Sequence, residues 1–195
     1  MISRQLQITL LVLALAALGM GFYALKLKQK AEALQAEADS RPVPAPARGT
    51  RESVAAWIAY DDDGVIHQQQ IQAALPQDSS ERAREILRAL VSFYAEKDSP
   101  HPLAAGADVN AVYILQDHTA VVDLNSAFAD GHRPGIEFEQ FSVFSLVQTL
   151  ATNHPDIIRV RFVVDGKPRT TLAGHAALDT YYDVATVSQA IRELQ

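Results

Sequence analysis

Three pairs of apolar runs, each joined by a polar turn, lie between residues 54 and 183. The first pair spans residues 54–75, and the second spans residues 110–125 and is rich in β-branched side chains. Such runs predict β-hairpins. The third pair begins as a nearly continuous apolar strand at residues 157–164 and turns at Asp165-Gly166, a dipeptide typical of tight hairpin turns. The pattern therefore predicts three hairpins, the last with a short polar final strand.

Segments between and after the hairpins have the 3.6-residue repeat of helices. Residues 79–97 place apolar side chains on one face, and Asp78 with Glu81 forms a capping box at their start. Residues 137–153 are apolar around most of the circumference, which is typical of a helix buried between layers. A weaker repeat in residues 184–195 predicts an amphipathic helix that packs on its own domain or, alternatively, on a neighbour.

The order of these elements, ββαββαββ, predicts an α/β fold of the α+β type. It would be a compact sheet of hairpins with two packed helices, together with an N-terminal transmembrane helix. The domain is assigned to residues 54–183 and the C-terminal amphipathic helix to residues 184–195. Residues 28–53 are interpreted as a short helical stalk and a linker, because the prolines of "RPVPAPARGT" favour extended backbone and end any helix.

An uncharged segment precedes the stalk. No residue from Gln5 to Leu25 is charged, and about 20 apolar residues are enough for a helix to cross the hydrocarbon core of a bilayer. Residues 1–27 are therefore predicted to be a transmembrane anchor. A cleaved signal peptide is the alternative, but its apolar region is shorter and ends in a small-residue cleavage site, whereas lysines follow directly here.

The charges divide along the predicted boundary. The chain has a net charge of −6, of which residues 1–53 contribute +3 and residues 54–195 contribute −9. Nucleic acid and anionic lipid should be repelled by the acidic domain. The chain has no cysteine, and motifs for zinc, phosphate or dinucleotide binding and for serine hydrolases are absent from the sequence. The sequence therefore predicts no catalytic residue, no metal site and no cofactor.

Several motifs together resemble a known family. The runs "AVVDLNSAF", "SLVQTL", "IIRVRFVVDGK" and "TLAGH", with a glutamate that opens the second helix, are similar to the GerMN domain, a sporulation and spore-germination module of bacterial envelope proteins. The resemblance covers residues 54–182 as a single copy. The family-signature positions are Asp123, Leu124, Glu139, Thr149, Leu150, Asp165, Gly166, Gly174 and His175.

The resemblance implies a compact domain that acts in envelope assemblies rather than as a catalyst. We therefore expect a membrane-anchored, non-catalytic interaction or scaffold domain, with a protein partner or self-association, and with the N-terminal helix holding it in the membrane. The alternative is a hydrolase or ligand-binding domain that acts on cell-wall material, for which Asp123, Glu139 and His175 are the motivating polar residues. Fold-level similarity does not decide between the two.

Two of the signature residues have reactive side chains. His175 is predicted to bond nearby backbone, because no serine, cysteine or carboxylate can be placed beside it from the sequence. Gly174 supplies an unusual backbone angle before it. Glu137 and Glu139 lie two residues apart at a helix start, where they cannot pair side by side, and favourable contact with the helix N-terminus accounts for both.

The side of the membrane on which the domain lies depends on two opposing arguments. The lysines that follow the apolar segment favour a cytoplasmic domain, since positively charged residues concentrate on the cytoplasmic side. The family resemblance favours the outside. We expect a single-pass protein of the bacterial cytoplasmic membrane with an extracytoplasmic C-terminal domain.

Overall fold

The computed structural model describes residues 49–195 and, of the preceding residues, only Met20, Tyr23, Lys26 and Lys28. The chain divides into two compact units, residues 1–42 and 43–195. All strands and helices labelled below belong to the second unit.

The first hairpin is confirmed. Strand β1 (Thr50–Tyr60) pairs antiparallel with β2 (Val65–Leu75) across the Asp61–Gly64 turn, and Gly64 has a φ of 67° there. The strand begins earlier than residue 54, because β2 extends to Leu75 and pairs with β1 as far back as Thr50.

The first helix and the second hairpin also follow the sequence pattern. Helix α1 (Ser79–Tyr94) begins where the side chain of Asp78 accepts a hydrogen bond from the Glu81 backbone N–H at 2.9 Å. Strands β3 (Val109–Ile114) and β4 (Thr119–Leu124) then form an antiparallel pair.

Two helices follow β4. The short helix α2 (Ser126–Asp130) was not predicted, and Asn125 caps it by accepting from the Phe128 backbone N–H at 2.8 Å. Helix α3 (Ile136–Asn153) is the predicted buried helix, and it buries hydroxyl side chains as well as apolar ones. Its polar side chains contact the edge of β1 that faces away from β2. The Trp57 backbone N–H donates to Thr149 Oγ1 at 2.8 Å, and Asn153 Nδ2 donates to the Ala55 carbonyl at 2.7 Å. Helix α3 therefore covers this strand edge by hydrogen bonds.

The chain ends with β5 (Arg159–Val164), β6 (Tyr182–Asp183) and helix α4 (Val184–Glu193). Strand β5 lies parallel to β4 and completes a four-stranded sheet of order β3-β4-β5-β6, separate from the β1-β2 pair. One hydrophobic core joins both sheets and the long helices.

The third predicted hairpin is wrong in its second strand. Asp165 and Gly166 form the expected tight turn, with φ values of 48° and 70°. Beyond it the chain makes only isolated bridges, such as Val164 with Lys167. Pro168 follows at once and has no N–H to donate to a ladder, so the segment leaves β5 and the free edge of β5 pairs with β6 instead.

The predicted fold class is corrected in one part, because the residues that the structure describes do not include the expected N-terminal transmembrane helix. Among the described residues, every helix is too short or too polar to cross a membrane. The longest helix labelled here, α3, has Glu137 and Glu139 in its first turn. The apolar segment at residues 5–25 and the stalk that follows it lie outside the described residues apart from the four named above. The mixed α/β class itself agrees with the structure.

Candidate functional site

Glu139 is the centre of a polar site in which many hydrogen bonds converge. It lies in the first turn of α3 with its side chain fully buried. Its Oε2 accepts hydrogen bonds from the backbone N–H groups of Ala173, His175 and Ala176 at 3.0, 2.8 and 2.8 Å. Its Oε1 accepts from the Gly135 backbone N–H at 3.2 Å and from His175 Nδ1 at 2.8 Å. Five donors therefore converge on one carboxylate.

These donors hold Glu139 in its charged form. Burial by itself raises the pKa of the carboxyl, but the hydrogen bonds from the His175 ring and from the backbone of residues 173–176 outweigh burial and lower the pKa to about 2. A carboxylate with this pKa and with both oxygens occupied does not exchange protons with a substrate near neutral pH. Glu139 therefore fixes the loop after Pro168 onto the start of α3.

His175 is oriented by the same carboxylate. Because the ionised carboxylate only accepts, the His175 Nδ1 atom carries the proton of their hydrogen bond. The His175 side chain remains 43% exposed. Gly174 precedes it with a φ of 125°, a backbone angle that side-chain-bearing residues rarely adopt. The ring borders a hollow of about 230 Å³ together with Gln140 and Tyr182.

The structure thus gives His175 the carboxylate partner that the sequence could not supply. Contact with the helix N-terminus is only a small part of what Glu139 does, since a single N–H group of the helix start, that of Gly135, bonds it. The signal for the pair was present in the sequence as a glutamate near the start of an apolar helix and a Gly-His dipeptide ending a polar loop. Spacing alone does not join them, because 36 residues separate the two.

The other signature positions support the architecture. Asp123 Oδ1 accepts from the Gly166 backbone N–H at 2.8 Å, and the Asp165 backbone N–H donates to the Leu124 carbonyl at 2.9 Å. These bonds hold the tight turn against the end of β4. Thr149 bonds the backbone of β1, as described above. The Leu124 and Leu150 side chains are fully buried in the core.

A second polar cluster, which was not predicted from the sequence, is buried between the Asp61–Gly64 turn and α3. The His101 ring bonds Asp61 Oδ1 through Nδ1 at 2.5 Å and Ser142 Oγ through Nε2 at 2.6 Å. The His132 ring bonds the same Ser142 Oγ through Nε2 at 2.7 Å and the Arg133 carbonyl through Nδ1 at 2.7 Å. Four separate segments of the chain meet here.

The hydrogen bonds of this cluster determine its proton content. The Arg133 carbonyl only accepts, so His132 Nδ1 is protonated, and one proton lies between Asp61 and His101 Nδ1. The hydroxyl of Ser142 has one hydrogen to donate, so at least one of the two Nε2 atoms must donate to it. The cluster therefore holds at least one proton more than two neutral rings beside an ionised carboxylate. Burial lowers the pKa of His132, which disfavours a positive charge on that ring.

The order of aspartate, histidine and serine in this cluster is that of a serine hydrolase triad. Access to the serine argues against this chemistry, however. Ser142 is only 1% exposed, and its Oγ is already bonded by both rings. A nucleophile must reach a substrate carbonyl, so this cluster joins chain segments rather than attacking a substrate. Among the described residues, no group of three or more His, Asp or Glu side chains has the geometry of a metal site.

Comparison with known proteins adds the family. The family model described as sporulation and spore germination, named Germane, matches residues 57–170, more than half of the chain. No curated protein matches the chain.

Three solved structures are similar in fold. The tandem GerMN domains of the Bacillus subtilis sporulation protein GerM are 24% identical with a TM-score of 0.50, covering 67% of this chain and 45% of that one. The first GerMN domain of the same protein is 21% identical with a TM-score of 0.49, covering 66% and 94%. A candidate lipoprotein from Clostridium perfringens is 18% identical with a TM-score of 0.47, covering 70% and 88%.

These similarities to solved structures concern the fold alone, and the family match covers most of the domain built around Glu139. The resemblance to GerMN domains that the sequence indicated is confirmed. This chain belongs to the Germane family of sporulation and spore germination domains.

Proposed function

We propose that this protein is a non-catalytic interaction domain that works in an assembly of the bacterial cell envelope. The observation that carries the proposal is that both carboxylate oxygens of Glu139 are occupied by hydrogen bonds from within the domain. Glu139 is ionised, fully buried and bonded by five donors, so it maintains the shape of a loop instead of moving protons. The signature residues Asp123 and Thr149 are likewise occupied by backbone groups.

The envelope location and the protein partner are parts of the same proposal. The family is defined by sporulation and spore germination, and one of the similar structures is that of a sporulation protein. The domain is acidic, which disfavours nucleic acid and anionic lipid as its ligands. A protein surface is the class of partner that we propose for the domain.

A second candidate function is a hydrolase or ligand-binding domain directed at cell-wall material. The observation that favours it is the pairing of His175 with Glu139, because a carboxylate that orients an imidazole is also part of many acid–base sites. The exposed ring beside a hollow of about 230 Å³ would be the reacting group.

A cell-wall digestion assay separates the two functions. The full chain, His175→Ala and the control His67→Ala, which alters an exposed histidine on β2, are incubated with purified cell wall, and released fragments are measured by chromatography. We expect no release by any of the three, with lysozyme as a positive control. Release by the full chain and by His67→Ala that is lost in His175→Ala, with unchanged circular dichroism, would establish the hydrolase and refute the interaction domain.

A further inference from the structure

An apolar groove lies between the start of α3 and the end of α4. It has a volume of about 480 Å³, and its apolar lining includes Phe141, Phe144 and Leu194. Ile136, the first residue of α3, stands at its edge with 70% of its surface exposed. We call this feature the α3/α4 groove. Exposed apolar side chains at the edge of a concave apolar surface are typical of a binding site.

The border of the α3/α4 groove is acidic. Glu137 and Glu193 line it, and no lysine or arginine does. Neither carboxylate forms an ion pair with any residue that the structure describes, although Glu193 accepts a hydrogen bond from Gln189. The Asp61–Gly64 turn adds to this charge, because a Cβ placed on Gly64 would lie 3.4 Å from Glu137 Oε1. The exposed Asp62 and Asp63 therefore lie near the same end of the groove.

The groove also reaches the family-signature site. Ile136 and Gln140 line both the α3/α4 groove and the hollow at His175. The carboxylate of Glu139 thus holds in place one wall of a continuous surface that runs from Glu193 to His175. The hydrogen bonds of the buried Glu139 carboxylate therefore help to shape this surface.

We propose that the α3/α4 groove binds a segment of a partner protein in which a large apolar side chain is flanked by lysine or arginine. The inference rests on the proposed interaction function and names its surface. The apolar floor removes the apolar side chain from water, and the cationic neighbours pair with Glu137 and Glu193. A second copy of the same acidic surface would bring like charges together, so a basic partner segment fits this groove better than self-association does.

Synthetic peptides provide the direct test. The full chain is titrated with a labelled twelve-residue peptide of leucines flanked by lysines, with a second peptide in which glutamate replaces lysine, and with a third in which serine replaces leucine. Fluorescence anisotropy is measured at low and high salt. We expect binding of the first peptide alone, weakened by salt, because both the apolar contact and the charge contribute.

Matched variants locate the site. Ile136→Asp should weaken binding of the lysine-leucine peptide by about tenfold or more, which is the effect of losing a buried apolar contact. The control Ile158→Asp changes another exposed isoleucine, which is 54% exposed and does not line the groove. This substitution should leave binding of the peptide unchanged. Charge reversal of Glu137 and Glu193 together should transfer the preference to the glutamate peptide. Equal binding by the two isoleucine variants, or equal binding of all peptides, would overturn the proposal.

Photo-crosslinking in the producing bacterium distinguishes this inference from the general function. A photoreactive residue is placed at position 136 or, as a control, at position 158 or 113. Crosslinks to a protein at 136 alone, through a basic segment of that protein, support the groove. Crosslinks at the control positions but not at 136 leave an interaction domain and refute the groove. Crosslinks at 136 between two copies of the chain refute the basic partner, and failure at every position counts against the interaction function itself.

Discussion

Glu139→Gln tests the role of the buried carboxylate most directly. The substitution keeps the size of the side chain at a position with no exposed surface, but it removes the negative charge on which five donors converge. The amide also places an NH₂ group opposite donor groups, so at least one backbone N–H loses its acceptor. The fold can be retained while its stability changes.

The magnitude follows from the pKa of the carboxyl. Its folded value of about 2 lies below the ordinary value of 4.5. One pKa unit corresponds to about 1.4 kcal/mol, so the carboxylate contributes roughly 3 kcal/mol to the free energy of unfolding at neutral pH. Because the pKa is lowered on folding, this contribution is fully present above pH 4.5 and is lost as the pH falls from 4.5 through 2. The Gln variant has no such group, so its stability should lack this pH dependence.

Urea unfolding followed by circular dichroism measures the difference. At pH 7 we expect Glu139→Gln to be less stable than the unmodified chain by at least about 3 kcal/mol, and the difference should shrink as the pH is lowered towards 2. The control Glu137→Gln alters an exposed carboxylate two residues away and should change stability by less than about 0.5 kcal/mol. Equal effects of the two substitutions at pH 7, or a constant difference between pH 7 and 3, would refute the assignment of Glu139 as the charged centre of the loop.

Two further predictions concern buried polar groups. Tyr94→Phe should lower the free energy of unfolding by about 1–3 kcal/mol, since the Ala59 backbone N–H donates to the Tyr94 hydroxyl at 2.8 Å and would be left without an acceptor; a loss below about 0.5 kcal/mol would show that water replaces the hydroxyl. For the buried histidine cluster, ¹⁵N spectra near pH 7 should show at least one of the two Nε2 atoms of His101 and His132 protonated, because the Ser142 hydroxyl can donate to only one of them. Ser142→Ala removes the partner that both rings share and should shift the Nε2 signals of both, whereas two unprotonated Nε2 atoms in the unmodified chain would contradict this hydrogen-bond arrangement.

Much of the fold was predictable because its signals are local. The helix after Asp78 begins with a cap made by residues three apart, and the first two hairpins are formed by runs that neighbour each other in the chain. The apolar circumference of residues 137–153 also indicated a central helix correctly. In each case the hydrogen bonds or the period of burial lie within a short window of sequence.

Only the tertiary structure decided the third strand pair and the polar sites. The Asp165-Gly166 turn forms as its sequence predicts, but a turn fixes two backbone angles and does not supply a partner strand, and Pro168 removes a donor that the ladder needs. Strand β5 runs parallel to β4, so the loop after β5 lies at the same end of the sheet as the start of α3, and this brings His175 to Glu139. The buried histidines meet through contacts among four segments of the chain. Sequence determined which groups need partners, since a buried charge or polar atom without hydrogen bonds is costly. Packing determined which partners they have, because that choice depends on distances between segments far apart in the chain.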